Sequence, residues 1–350
     1  MSRYIVKIKN EETRQRLSNI FEDVGCGEYF KTKVVIETEQ ENALERIQAV
    51  EGVLWVYEDD YFTPEKAVHT FEHPFNWFLN RISKETDALI TRSLGEHADI
   101  YVMDTGMRLD HEDYVDRAET LYTFDGNDYS KEGNAPDHGT QVGSCAAGTY
   151  CGVAKQAMLY NLRFDMSYGC AVKAADKLMS HHLQKERDRV SILNMSFGGA
   201  HPMLREEIRE MTRNGIVCIA AAGNEGMNRA MYPARERDVL SVGSINDRDE
   251  ISSFSNYGSQ IDLFAPGSSG TMAAIDDAQF YVRASGTSFS APIVAGVIAT
   301  ITDYGSVQSA RDLRALFRHV KKHCFEGKID KARGQGRSPN KIINALSPKF

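Results

Sequence analysis

Four residues along this chain are of types that can jointly transfer an acyl group: Asp104, His138, Asn224 and Ser288. A serine hydroxyl is a weak nucleophile, so a neutral imidazole must accept its proton and a carboxylate must orient that imidazole. The tetrahedral intermediate then needs donors aimed at its oxygen, which the Asn224 amide and the Ser288 backbone N–H can supply. Ser288 lies in Ala284-Ser285-Gly286-Thr287-Ser288-Phe289-Ser290-Ala291-Pro292, ahead of an apolar run over 293–301. Gly286 predicts a backbone conformation closed to other side chains, and Pro292 predicts a first helical turn. Ser288 is thereby expected at a helix N-terminus, where unpaired amides favour developing negative charge. Singly, each residue has a plainer reading. Ser288 reads as an N-cap, Asp104-Thr105-Gly106 as a turn, His138 as a helix cap and Asn224 as a loop residue. Their common placement argues for chemistry.

That placement comes from the elements around them. Strand-like runs at 99–103, 157–162, 191–195, 216–220 and 239–243 alternate with helical stretches at 139–148, 170–187, 202–213 and 291–303. Near-continuous apolar strands alternating with helices predict an α/β fold with a doubly wound, mainly parallel sheet. Sites in such folds gather at the carboxyl ends of the strands. Asp104 follows the first of these strands, His138 opens the helix at 139, and Asn224 follows the strand at 216–220. Ahead of this region, a strand at 3–9, a helix from Glu11 to Val24, a strand at 33–37, a helix at 41–50 and a strand at 53–58 predict a small α+β unit of ferredoxin-like type. Residues 59–75 show no period and read as a linker. The expected domains are therefore 1–68 and 69–350.

Composition removes several classes of function. A net charge of −8 argues against a nucleic-acid partner. The longest apolar runs, near 216–222 and 291–301, are too short to span a bilayer. The N-terminal residues alternate like a strand and carry no signal-peptide core, so an intracellular location is expected unless an export signal has been removed. The six cysteines show neither a C-x-x-C pair nor zinc spacing, and are expected as thiols, Cys218 as a buried one.

Taken together, the blocks Val102-Met103-Asp104-Thr105-Gly106, His138-Gly139-Thr140-Gln141-Val142-Gly143-Ser144, Asn194-Met195-Ser196-Phe197-Gly198-Gly199, 220–226 and Gly286-Thr287-Ser288-Phe289-Ser290-Ala291-Pro292 resemble the subtilisin-like serine proteases. The order Asp…His…Ser is the one subtilisin shows, and the Gly-x-Ser-x-Gly signature of α/β-hydrolases is missing around Ser288. The stretch Ser252-Ser253-Phe254-Ser255-Asn256-Tyr257-Gly258 is similar to the proteinase K branch. Residues 3–60 more weakly resemble the inhibitor-like propeptide of these enzymes. The resemblance implies a self-processing zymogen whose propeptide is an intramolecular inhibitor, a monomeric endopeptidase acting on polypeptides. It implies Asp104, His138 and Ser288 as the triad and Asn224 in the oxyanion hole. Ser196, Phe197 and Gly198 are implied on one side of the P1 pocket, and Ala221, Ala222 and Gly223 on the other. Small residues there imply a roomy pocket for apolar or aromatic P1 side chains.

The same chemistry also suits a fold that binds peptides without cutting them, or one that passes the acyl group to an amine. No organic cofactor is required. The resemblance implies a structural calcium, at a site weakened by Asn246 because a neutral amide offers little to a hard cation. Segment 162–169 departs from the pattern of these proteases and is expected beside the cleft. His111 is expected in a structural turn rather than as a metal ligand, and His181-His182 on a solvated helix face. The helix bearing Arg311, Arg314, Arg318, Lys321 and Lys322 is expected at the surface, as is the basic loop 333–337.

Overall fold

The computed structural model describes residues 2–21, 23–26, 33–58, 69–72, 76–83, 88–126, 137–185, 189–202, 204–303, 305–330 and 336–350. The chain divides into two compact units, Met1–Lys66 and Ala67–Phe350.

The first unit contains β1 (Ser2–Ile8), α1 (Glu11–Ser18), β2 (Asp23–Cys26), β3 (Lys33–Thr38), α2 (Ala43–Gln48) and β4 (Val53–Glu58). Its sheet runs β2-β3-β1-β4, all antiparallel, the arrangement of a split β-α-β fold. Asn10 starts α1 by accepting the Thr13 N–H at 3.1 Å. The helix stops at Ser18 instead of continuing to Val24. Residues 23–26 instead gain backbone partners along β3, a tertiary pairing that outweighs helical periodicity. Val6, Ile8, Leu17, Phe21, Ile36 and Ile47 form its core.

The second unit opens with β5 (His69–Glu72), α3 (Trp77–Ile82), β6 (Ala88–Thr91), β7 (Ala98–Asp104), β8 (Ala118–Thr123), α4 (Asp137–Ala147) and β9 (Met158–Arg163). It continues with α5 (Tyr168–Gln184), β10 (Val190–Met195), α6 (Arg205–Arg213), β11 (Val217–Ala221), β12 (Val239–Ile245) and β13 (Leu263–Pro266). The last elements are β14 (Gly270–Ala273), β15 (Tyr281–Ala284), α7 (Thr287–Ile301), α8 (Ala310–Lys322), β16 (Phe325–Glu326) and β17 (Lys341–Ile342). Strand β5 falls inside the expected linker and pairs with β6; residues 59–68 and 73–75 of that stretch, and 333–335 of the basic loop, lie outside the described residues.

Nine strands form one sheet in the order β16-β17-β13-β12-β11-β10-β7-β9-β8, parallel except at β16. The chain winds first from β7 outward to β8 and β9, then back to β10 and onward to β13. The order reverses beside β7, so the crevice for a ligand opens at the carboxyl ends of β7 and β10. Every residue of β7, β10, β11 and β12 is buried, which explains their mainly apolar character. One face packs on α4 and α7, the other on α5 and α6. Helix α7 is apolar on all sides and, apart from Ser288, wholly buried. Helix α8 is amphipathic, burying Leu313, Leu316, Phe317 and Val320, with Arg314 paired to Asp238 and Lys321 to Asp262. No helix among the described residues is long and apolar enough to cross a membrane.

One minor expectation changes. His181 and His182 are partly buried rather than on a fully solvated face: His181 Nδ1 meets Tyr101 Oη at 2.8 Å, and His182 bridges Ser191 Oγ and the Asn214 carbonyl. Helix α5 packs that edge onto the sheet. His111 is buried with both ring nitrogens engaged, accepting the Asp113 N–H and bonding the Phe280 carbonyl, as suits a structural turn. The five cysteines whose side chains are described are free thiols, and burial pushes the pKa of Cys218 up.

Candidate active site

Asp104 ends β7 and is fully buried. Its Oδ1 accepts the Thr105 N–H at 2.7 Å and bonds His138 Nδ1 at 2.8 Å. Its Oδ2 is buried with no partner among the described residues, so the carboxylate is poorly solvated and favours a charged imidazole beside it. With Nδ1–H donating to Asp104, the neutral ring presents a lone pair at Nε2. Burial is the largest influence on His138 and lowers its pKa, but the charge of Asp104 and their hydrogen bond raise it further, so the net shift is upward.

His138 stands in the first turn of α4, which is sewn onto the turn after β7. The Gly139 N–H donates to Thr105 Oγ1 at 3.2 Å, and the Arg108 N–H donates to Thr140 Oγ1 at 2.9 Å. Gly139 lies so close to the Gly106 carbonyl that a Cβ there would collide with it. Gly106 itself has φ +126, a region that favours glycine.

Ser288 is the second residue of α7 and partly exposed. Its Oγ donates to the Ser196 carbonyl at 3.1 Å, and no hydrogen bond joins it to His138 in this structure. The His138 ring lies 5.8 Å from that of the next residue, Phe289. Such nucleophile–base bonds commonly form only once substrate is bound. Two local expectations are corrected here. Gly286 has φ 161, extended backbone open to any residue, and a Cβ would meet nothing closer than 3.6 Å. Pro292 lies inside α7 rather than in its first turn, because the helix already begins at Thr287. Lacking an N–H, Pro292 cannot bond the Ser288 carbonyl; Ser196 Oγ donates to that carbonyl at 2.7 Å instead.

Asn224 is exposed, yet its orientation is defined. Its Oδ1 accepts both the Thr287 N–H at 2.8 Å and the Thr287 hydroxyl at 2.9 Å. With the oxygen so held, the amide NH₂ must point the other way, on the Gly286 side, where Nδ2 is 3.6 Å from an ideal Cβ.

The cleft walls differ in part from expectation. Ser196, Phe197 and Gly198 follow β10 as predicted, with Phe197 packed edge-on against Phe164 at 5.0 Å. Ala221 and Ala222 are buried at 3% and 0% exposure, because Ala221 ends β11 and Ala222, just after it, donates its N–H to the Val242 carbonyl of β12 at 2.9 Å. The Ala222 carbonyl accepts the Met231 N–H at 2.9 Å and Asn256 Nδ2 at 3.0 Å. Gly223 remains partly open, and the Met231 side chain stands beside both walls. Met231 Cβ is 2.9 Å from an ideal Cβ on Gly198, and its Cγ 2.7 Å from one on Gly223. Met231 and Thr287 escaped the sequence reading. Thr287 sits in the Gly-Thr-Ser block, whereas nothing local to Met231 points to the cleft.

The residues after β12 do not fit calcium. Asn246 Oδ1 accepts the N–H groups of Arg248 and Glu250, both at 3.0 Å, and its Nδ2 donates to Glu250 at 2.8 Å. Asp249 is clamped by Arg81 through two bonds of 2.5 and 2.9 Å. These oxygens already serve other donors, whereas calcium takes about six to eight oxygen ligands. No group of three or more metal-ligating side chains occurs among the described residues.

Residues 95–336 match the model of the subtilase family. Alkaline protease 2 of Aspergillus fumigatus is 31% identical over 72% of this chain and 56% of its own length. Subtilisin-like serine protease pepC of Aspergillus niger is 32% identical over 69% of this chain and 50% of its own length. This chain thus spans about half of those relatives. A cold-adapted subtilisin-like serine proteinase of known structure superposes with a TM-score of 0.68 at 28% identity, covering 78% of this chain and 98% of that one. The matched region holds Asp104, His138, Asn224 and Ser288, and on that evidence the chain belongs to the subtilase family.

Proposed function

We propose that this protein is a serine endopeptidase that hydrolyses peptide bonds through Asp104, His138 and Ser288. The observation that carries the reading is the pair of a buried Asp104 and a partly exposed His138, 2.8 Å apart, with a partly exposed serine opening a buried helix. In the first step Ser288 Oγ turns from the Ser196 carbonyl to His138 Nε2, gives up its proton and attacks the scissile carbonyl. Asn224 NH₂ and the Ser288 N–H, one of the unpaired first amides of α7, receive the negative charge that develops on the carbonyl oxygen. His138 then protonates the leaving amine, and a water deprotonated by His138 releases the acyl group. Asp104 keeps the imidazole oriented and stabilises its charged form throughout. No organic cofactor or metal enters these steps.

Residues 196–198 would pair with an extended substrate as an added strand. The small residues Gly198 and Gly223, with Met231 beside both, support a preference for apolar or aromatic P1 residues; Glu225 Oε2, 2.6 Å from an ideal Cβ on Gly223, is held by Asn256 Nδ2 at 2.7 Å. The flexible thioether adapts to either shape. Residues 1–68 are proposed as a propeptide that inhibits the enzyme and is removed autocatalytically.

Intact mass after expression tests the whole reading. The wild type should lose roughly its first 68 residues and cleave a chromogenic peptide, while Ser288→Ala stays full length and inactive. If wild type and variant remain equally intact and inactive, the proposal fails in favour of a peptide-binding fold. Product formed from an added amine in preference to water would move it to acyl transfer.

A further inference from the structure

Segment 162–169 is the one expected beside the cleft, and its second residue is a buried cation next to Asp104. Arg163 is 8% exposed and ends β9. In the sheet it lies between Asp104 of β7 and Thr123 of β8, in register with both. Its Nε donates to the Thr105 carbonyl at 3.2 Å, and an Nη donates to Asp125 Oδ1 at 2.6 Å. The guanidinium also lies 4.6 Å from the centroid of the Phe124 ring. Its aliphatic stem fills the space a side chain at Gly106 would need, with Cδ 2.8 Å from an ideal Cβ there. Burying a guanidinium costs free energy that its partners only partly return, so stability alone is a weak reason to find one here.

What it touches is the turn that carries the catalytic carboxylate. Thr105 is bonded on three sides: its N–H to Asp104, its hydroxyl to the start of α4, and its carbonyl to Arg163. We propose that Arg163 is a positioning residue that sets the distance between Asp104 and His138, acting through Thr105 and Gly106, with Asp125 and Phe124 fixing its own orientation. The inference rests on the triad reading above. Losing the clamp frees the Thr105–Gly106 turn, and displacements of about 1 Å in such sites cost on the order of a hundredfold in rate.

The test compares wild type, Arg163→Ala, Arg163→Lys, Asp125→Asn, Arg189→Ala and Ser288→Ala, with kcat and KM measured on a chromogenic peptide. Rates are expressed per site labelled by a fluorophosphonate, so that misfolded molecules drop out. Arg189 is the control, a similar ion pair with Asp99 at the opposite end of β7, bonded at 2.5 Å. Arg163→Ala should lose roughly ten- to a hundredfold in kcat with KM nearly unchanged. Arg163→Lys, which keeps the charge but has no Nε–H, should recover part of that loss. Asp125→Asn should show a smaller loss of the same kind, and Arg189→Ala none. The inference is overturned if kcat per labelled site in Arg163→Ala stays within about twofold of wild type, if only KM changes, or if Arg189→Ala loses as much. A wild type that labels no better than Ser288→Ala sinks the triad reading instead, and this inference with it.

Discussion

Thr287 offers a measurable link between one buried hydroxyl and the rate of the reaction. It is fully buried; its Oγ1 donates to Asn224 Oδ1 at 2.9 Å and accepts the Gly223 N–H at 3.2 Å, while its own N–H also holds Asn224. Thr287→Val keeps the shape and the N–H bond but deletes both hydroxyl bonds. A neutral hydrogen bond contributes about 1 kcal/mol net, and about 1.4 kcal/mol is a decade in rate, so loss of the hydroxyl bond to Asn224 predicts a fall of about fivefold in kcat. KM should hardly move, because the aim of Asn224 matters only once charge develops on the substrate oxygen. Asn224→Ala removes the donor itself and should cost about 10²- to 10³-fold. The decisive measurement is the double variant. If Thr287 acts only by aiming Asn224, then Thr287→Val should change kcat by under about twofold in the Asn224→Ala background. A fivefold loss that persists there, or no loss in the single variant, refutes the reasoning.

Four further outcomes follow from the geometry. The rise of kcat/KM with pH should be centred above the ordinary imidazole range, because Asp104 raises the pKa of His138; Asp104→Asn should move that limb to lower pH and reduce kcat by about 10⁴-fold. By the same linkage, in the Ser288→Ala background the stability contributed by His138 is complete below about pH 6.5 and is lost as pH rises through the higher folded-state pKa; urea titrations at several pH values should show the fall, and Asp104→Asn should abolish it. Met231→Gly should enlarge the P1 pocket and shift kcat/KM about tenfold towards aromatic over small P1 residues in a peptide series. Ser196→Ala should cost about 1–3 kcal/mol by leaving the Ser288 carbonyl unpaired, and adding Pro292→Ala, which restores a helical N–H, should recover part of that loss in a thermal melt.

The residue types and their local patterns determined which elements form and which residues end them. Near-continuous apolar runs at 99–103, 191–195 and 216–220 suit strands covered on both faces, and β7, β10 and β11 are buried throughout. Asp104 and Asn224 stand at or just after the ends of β7 and β11 in the parallel sheet, and His138 and Ser288 lie in the first turns of α4 and α7, positions where sites in such folds gather. Local pattern failed where a partner outside the window decided the matter. The helix after Glu11 stopped early because β3 offered residues 23–26 a ladder, and His181 found Tyr101 instead of solvent.

Orientation within the site belonged to tertiary structure alone. Asn224 is aimed by a threonine 63 residues away, and the Ser288 carbonyl freed by Pro292 is satisfied by a serine 92 residues away. Met231 reaches Gly198 and Gly223, and Arg163 the turn after Asp104, only because strands and loops from separate parts of the chain pack side by side. Periodicity reports the environment of a residue along its own element. Hydrogen-bond direction and the filling of a pocket depend on atoms that meet only after the sheet is assembled, and these set how the four chemical residues face one another.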